Sequence, residues 1–119
     1  MALIKTFKEL LVWQKAHRLV LEIYKITCEF PRFEEFCLAN QMRRCAVSIA
    51  SNIAEGFKRK SSKDSCHFYN MSEGSLEELK YQLMLSRDLN YIPNTKFDEL
   101  EEKSDEIGRL LNGWIKIQK

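Results

Sequence analysis

Histidine and cysteine are the residue types in this chain that could bind a metal ion. The chain has two histidines and four cysteines, and Cys66 is adjacent to His67. A metal site needs several ligands that converge, and adjacent residues point in different directions from a helix. His17 has no cysteine or histidine at ligand spacing. The other cysteines are Cys28, Cys37 and Cys45, which show no ligand pattern, and we expect all four cysteines to be reduced thiols. The sequence therefore predicts no metal site and no cofactor.

Candidate catalytic groups are equally sparse. His17 with Glu22, or His67 with Glu73, could form acid–base pairs, but their spacing does not distinguish them from surface residues. The chain has no phosphate-binding glycine loop, no nucleophile elbow and no His-Glu-x-x-His motif. It also lacks the Glu-x-x-His pairs of di-iron bundles. We therefore expect no catalytic residues and no enzyme activity.

Four helices separated by proline or serine segments account for the whole chain. Its 119 residues predict one domain over 1–119, and 2 prolines and 4 glycines favour long helices. Thr6 and Glu9 have capping-box spacing at the start of the first helix, and Pro31 ends it. The second helix is predicted from about Glu34 to Phe57. No apolar run reaches membrane-spanning length, so we expect a cytoplasmic protein with no membrane partner.

The third helix is predicted to begin after a Ser61 cap, and the fourth at a Thr95 cap. Gly74 lies within the third helix, where close approach of a neighbouring helix would offset the cost of glycine. Short connections make consecutive helices antiparallel. The predicted fold is all-α, an antiparallel up-down-up-down four-helix bundle. The predicted inner face of the third helix is Phe68, Met71, Ser72, Ser75, Leu76, Leu79 and Leu83. Aromatic core residues are expected at Trp13, Tyr24, Phe68 and Trp114.

The second helix has one apolar face and one polar face. Arg44 and Glu55 on the polar face lie roughly 16 Å apart along the axis, too far to pair with each other. Serine and asparagine are mediocre helix formers, so propensity does not explain them there. Two interpretations remain open, a solvated face or an oligomer interface. The polar row is Gln41, Arg44, Ser48, Ser51, Asn52 and Glu55.

Several short segments together resemble one protein family. They are 11–16 (LVWQKA), 30–31 (FP), 41–44 (QMRR), 51–56 (SNIAEG), 63–64 (KD) and 74–79 (GSLEEL). With these motifs the chain resembles the four-helix-bundle proteins encoded in intervening sequences of bacterial 23S rRNA, over nearly its whole length. The chain departs from that pattern at Ala50, often proline in the family, and at Ser65, usually aromatic. We therefore expect a straighter second helix and a missing contact at the start of the third.

The resemblance implies a homopentamer with a nucleic-acid or ribonucleoprotein role. A related group serves as an accessory factor to a reverse transcriptase in diversity-generating retroelements. No catalytic residues are established for the family, so the resemblance carries none to this chain.

Topology predicts a charge separation that the net charge of +2 conceals. In an up-down-up-down bundle, the amino end, the second connection and the carboxyl end share one pole. The predicted basic pole has Lys5, Lys8, Lys58, Arg59, Lys60, Lys63, Lys116 and Lys119, against Glu9 and Asp64. The predicted acidic pole has Glu29, Glu34, Glu35, Asp98, Glu99, Glu101 and Glu102, offset by Arg32 and Lys96.

The basic pole is the candidate nucleic-acid site, because clustered cations attract phosphates. Its main residues are Arg59, Lys60 and Lys63, with Lys58 in support. One alternative is that 58–63 is a solvated connection. Another is a protein-interaction scaffold, an accessory subunit of a ribonucleoprotein or reverse transcriptase complex, whose partner docks on the ring or the acidic pole.

Overall fold

The computed structural model describes residues 3–118, and this part of the chain is mainly helical. The four long helices are α1 (Leu11–Thr27), α2 (Leu38–Lys58), α3 (Ser62–Asp88) and α4 (Asn94–Gln118). Short 3₁₀ helices precede α1 (Phe7–Glu9) and α2 (Arg32–Glu34). Within the described part of the chain there is no strand, and the predicted all-α four-helix fold is confirmed. No helix in that part is both long enough and apolar enough to span a bilayer.

Two of the predicted helix starts are displaced by 3₁₀ helices. The capping box of Thr6 and Glu9 is present, but it caps Phe7–Glu9, and α1 begins at Leu11 after an extended Leu10. The predicted start of the second helix near Glu34 is wrong, because Glu34 ends a separate 3₁₀ turn. Helix α2 runs through Ala50 without interruption.

The predicted cap of α3 is confirmed and that of α4 is wrong. The Ser61 hydroxyl accepts a hydrogen bond from the backbone N–H of Asp64 at 3.1 Å, as expected for a cap. Thr95 lies inside α4, which begins at Asn94, so Thr95 does not cap this helix. The first turn of α4 is closed instead by the Phe97 N–H, which donates to the Pro93 carbonyl at 3.0 Å.

Contacts between neighbouring helices run in opposite order along the two helices. Those between α2 and α3 join Gly56 to Ser65, Ile49 to Ser72 and Met42 to Ser86. Those between α3 and α4 join Tyr69 to Trp114, Lys80 to Asp105 and Arg87 to Phe97. Those between α1 and α4 join Lys15 to Glu106 and Glu22 to Lys96. Each of these pairs of helices is therefore antiparallel, and so α1 is also antiparallel to α2.

The core differs from the predicted one on α3 and at Tyr24. Tyr69 is almost fully buried, whereas Met71 and Tyr24 are 47% and 45% exposed, so their predicted core positions are wrong. The inward row of α3 passes through Ser72, and at about 100° per residue this places Met71 near the outer side. The buried residues of α3 are Ser65, Tyr69, Ser72, Leu76, Leu79, Gln82, Leu83 and Ser86.

The glycine that permits a close helix contact is Gly56, not Gly74. No neighbouring atom would lie within 4 Å of a Cβ at Gly74, so the prediction of a close approach there is wrong. A Cβ at Gly56 would lie 2.5 Å from Cε1 of Tyr69 and 3.0 Å from the Ser65 carbonyl oxygen. Gly56 therefore lets the Tyr69 ring pack directly on the backbone of α2.

Candidate nucleic-acid interface

Three distant segments of the chain meet at one end of the bundle. Ile4 and Leu10 line an open groove of about 380 Å³ together with Trp114 of α4. The Trp114 ring lies 6.4 Å from the ring of Tyr69, which packs on Gly56 at the end of α2. The amino end, the α2–α3 connection and the last turns of α4 are therefore neighbours, as the topology predicted.

We call this end of the molecule the basic end. Its cations are Lys5, Lys8, Lys58, Arg59, Lys60, Lys63 and Lys116; Lys119, assigned to it from the sequence, lies outside the described residues. All seven are exposed. Among residues 3–118, the six lysines of this set form no ion pair, whereas Arg59 does. Glu9 is already engaged, because its carboxylate accepts hydrogen bonds from the backbone N–H groups of Lys5 and Thr6.

Arg59 differs from the lysines in being held by two neighbours. Its guanidinium pairs with Glu55, one helical turn earlier, and its Cζ lies 4.5 Å from the centroid of the Phe68 ring. The partner of Glu55 is therefore on the same chain, at the residue that directly follows the end of α2. Sequence reasoning compared Glu55 with Arg44 alone, although the i,i+4 spacing to Arg59 was the signal that could have found this pair. Phe68, predicted to face the core, is half-buried beneath the guanidinium.

The opposite end, which we call the acidic end, carries Glu29, Glu34, Glu35, Asp98, Glu99, Glu101 and Glu102. Several of its charges hold the fold together. The Glu34 carboxylate accepts from the Tyr91 hydroxyl at 2.8 Å and from the Leu38 N–H at 3.3 Å. Hydrogen bonding to Glu34 raises the pKa of Tyr91. Lys96 lies 2.9 Å from Glu99, and this bond lowers the pKa of the Glu99 carboxyl.

The structure divides the predicted interface row of α2 into two groups. Ser48 and Asn52 are half-buried, and the Ser48 hydroxyl lies 2.9 Å from the Ser75 hydroxyl of α3. The Asn52 amide donates to the Ser48 carbonyl at 2.9 Å. These two residues therefore serve contacts within the chain. The remaining members, Gln41, Arg44, Ser51 and Glu55, are exposed, and their oligomer role stays a prediction.

The seam between α2 and α3 also explains one cysteine and one departure from the family pattern. The buried Cys45 thiol donates to the Ser75 carbonyl at 2.9 Å, and burial, with a smaller effect of Glu78, raises its pKa to about 12. Cys45 is therefore a protonated packing residue at neutral pH. Ser65 is buried and donates to the Gly56 carbonyl at 2.8 Å, so the contact expected to be missing at the start of α3 is replaced by another. Among residues 3–118, no three candidate metal ligands lie together.

Comparison with known proteins identifies the family. The family model described as 23S rRNA-intervening sequence protein matches residues 8–113. A solved structure of a protein with unknown function from the S23 ribosomal protein family of Bacteroides thetaiotaomicron is 28% identical, and the match covers 89% of this chain and 99% of that chain with a TM-score of 0.80. No curated protein matches the sequence. With nearly nine-tenths of its length matched, the chain belongs to the 23S rRNA-intervening sequence protein family.

Proposed function

We propose that this protein is a non-catalytic, oligomeric RNA-associated protein that contacts RNA through its basic end. One observation carries the proposal: six exposed lysines from three distant segments lie at one end of the bundle and, within residues 3–118, have no carboxylate partner. Exposed, unpaired lysines are suited to phosphate contacts, because each contact releases a counterion from the nucleic acid. The family is named after an intervening sequence of ribosomal RNA, and this name is consistent with RNA as the nucleic acid.

A ring of parallel protomers would strengthen such binding. One protomer offers few phosphate contacts, whereas a pentamer with every basic end on the same side multiplies them. The outer side of α2 and α3 supports an interface between copies. Arg44 and Glu78 line an open groove of about 410 Å³ there without an ion-pair partner in the described chain, and Phe36 at its edge is 88% exposed.

Light scattering coupled to size-exclusion chromatography tests the oligomer. We expect a species several times the chain mass of 14.1 kDa at micromolar concentration. Reversing the charge in Arg44→Glu should reduce the assembly, and restoring the complement with Glu78→Arg in the same chain should recover it. A single 14.1 kDa species in the wild-type protein contradicts the ring.

Titration of a structured RNA at two salt concentrations tests the basic end. We expect the Lys60→Ala/Lys63→Ala variant to bind more weakly and to lower the slope of log affinity against log salt by about 1.4–1.8 units per protomer, since two phosphate contacts are lost. The matched control is Lys25→Ala/Arg32→Ala, which removes the same charge from exposed positions near the acidic end. Equal losses in the two variants would show a general charge effect, and an unchanged affinity for Lys60→Ala/Lys63→Ala would reject the site.

A second candidate is a protein-interaction scaffold, and exposed aromatics favour it. Phe33 and Phe36, in the connection between α1 and α2, are 65% and 88% exposed. Exposed apolar side chains that form one patch mark interaction sites, whereas single ones are common on protein surfaces. Pull-down from a nuclease-treated lysate separates the candidates, because an RNA bridge does not survive and a Phe36-dependent protein contact does. Loss of the captured partner in Phe36→Ala would favour the scaffold.

A further inference from the structure

The guanidinium of Arg59 is a fixed planar surface at the basic end. Its Cζ lies 4.5 Å from the centroid of the Phe68 ring, and the Glu55 carboxylate of α2 pairs with the guanidinium. The His67 ring meets the Phe68 ring edge-on, with centroids 5.2 Å apart. The two contacts with Phe68 and Glu55 restrain a side chain that is otherwise flexible, and 41% of the Arg59 side chain remains exposed.

Arg59 is poorly suited to the phosphate role that the sequence assigned to it. The neighbouring Glu55 carboxylate offsets its charge, whereas Lys58, Lys60 and Lys63 have no carboxylate partner in the described chain. What Arg59 retains is a flat, weakly hydrated face. Single-stranded RNA is recognised largely by stacking its unpaired bases on aromatic rings and on arginine guanidinium planes.

We propose that the exposed face of Arg59, supported from below by Phe68, is a stacking platform for an unpaired nucleobase of single-stranded RNA. Lys58 and Lys60, its neighbours in sequence, and Lys63, at the start of α3, contact the flanking phosphates. This inference rests on the proposed RNA-binding function and deepens it, since it names the class of RNA. A continuous duplex cannot use the platform, because its bases are stacked on one another.

Replacement of Arg59 by lysine tests the platform, because it keeps the charge and removes the plane. The matched control is Arg87→Lys at the other end of α3. Arg87 has the same arrangement, with its Cζ 4.2 Å from the Phe97 ring centroid and its Nε 3.1 Å from the Asp88 carboxylate. The probes are a short single-stranded RNA that carries a fluorescent purine analogue and a blunt RNA duplex of matched charge.

For the single strand, we expect Arg59→Lys to weaken binding about fivefold or more and to abolish the quenching of the analogue on binding. For the duplex, we expect the same variant to bind like the wild-type protein. The salt dependence of single-strand binding should be unchanged, and Arg87→Lys should bind both probes like the wild-type protein. Phe68→Leu, which keeps an apolar side chain beneath Arg59 and removes the ring, should reproduce the loss of quenching. Each variant is shown to be folded when its thermal melt, followed by circular dichroism, matches that of the wild-type protein.

The outcomes separate this inference from the function on which it rests. If the wild-type protein binds neither probe at low salt, the proposed RNA association itself is wrong. If it binds both probes and Arg59→Lys changes neither, the platform is wrong and the lysines account for binding. If Arg59→Lys weakens both probes equally, Arg59 is a phosphate contact, and the platform is again wrong.

Discussion

The two ends of the bundle collect charge in the same way but use it differently. At the acidic end, charged groups bind one another and the backbone: Glu34 contacts Tyr91 and Leu38, and Lys96 contacts Glu99. At the basic end, the helices are joined by packing of Tyr69 on Gly56, and the six lysines take no part.

This difference indicates which end is available for a partner. A charge that already has a partner must lose it before it binds another, whereas an exposed unpaired lysine loses only water and counterions. Within residues 3–118, the lysines of the basic end have no carboxylate partner, whereas at the acidic end Glu34, Glu35 and Glu99 already have partners. The comparison can be tested at both ends.

Gly56→Ala should produce the largest effect on stability, because it disrupts the packing of Tyr69 against α2 at the basic end. The added Cβ would lie 2.5 Å from the ring of Tyr69, which is only 1% exposed and cannot move aside freely. We expect a loss of about 1–3 kcal/mol in the free energy of unfolding, measured by urea denaturation. Gly113→Ala is the control, since a Cβ added there would have no neighbouring atom within 4 Å and alanine favours the helix. A Gly56→Ala variant as stable as Gly113→Ala would show that the packing of Tyr69 on Gly56 does not stabilise the basic end.

Ser61→Ala should have a smaller effect at the same end. Its hydroxyl caps α3 by accepting from the Asp64 N–H at 3.1 Å, and losing such a cap costs about 1 kcal/mol. At the acidic end α2 has no side-chain cap at Cys37, and the Glu34 carboxylate binds the Leu38 N–H instead. The control is Ser62→Ala, which removes an exposed hydroxyl one residue later. The difference between the two variants in the free energy of unfolding, measured by urea denaturation, gives the contribution of the cap. Equal stability of the two variants would show that the cap contributes nothing.

Tyr91→Phe tests the acidic end through a titration. Hydrogen bonding to Glu34 holds the pKa of Tyr91 above its ordinary value of 10.0. A group with a raised pKa in the folded state contributes its full stability below the unfolded pKa, and this contribution is lost as the pH rises through the folded value. The phenolate absorbance of the wild-type protein minus that of Tyr91→Phe, plotted against pH, should therefore have its midpoint above pH 10.0. A difference curve centred at or below that pH would show that the Glu34 contact is absent in solution.

Thiol labelling should change function least. Cys28 and Cys37 are exposed at the acidic end, whereas Cys45 is buried with a pKa raised to about 12. An alkylating reagent should therefore modify the first two readily and Cys45 only after unfolding, as peptide mass mapping would show. Labels at Cys28 and Cys37 should leave RNA affinity unchanged, with Cys28→Ser/Cys37→Ser treated in the same way as the control for labelling of the half-buried Cys66. A marked loss of affinity that the treated Cys28→Ser/Cys37→Ser variant does not show would contradict the assignment of RNA to the basic end.

The helices and the separation of charge could be predicted because both follow from local signals. Pro31, Pro93 and the Ser61 cap mark boundaries, and once the helices alternate in direction, the ends of the chain and the α2–α3 connection meet. These inferences need periodicity and topology but no side-chain geometry.

The details of the site could not be predicted, because they depend on helix rotation and on contacts between distant residues. A small change in the rotation of α3 decides whether Tyr69 or Met71 faces inward. The placement of Arg59 over Phe68 joins residues on either side of a connection whose conformation sets the distance. The start of α2 was missed because Arg32–Glu34 folds into a 3₁₀ turn that resembles a helical turn in sequence.

The hydroxyl-lined seam between α2 and α3 has a mechanical consequence. Ser65 and Ser72 donate to the main-chain carbonyls of Gly56 and Ile49 on α2, and Cys45 donates in the other direction, to Ser75. Sliding one helix along the other by any fraction of a turn would break all of these bonds together, with no intermediate position that restores them. The α2–α3 hairpin should consequently move as one rigid body. Slow opening motions of the protein should be confined to the separation of α1 and α4 from this hairpin.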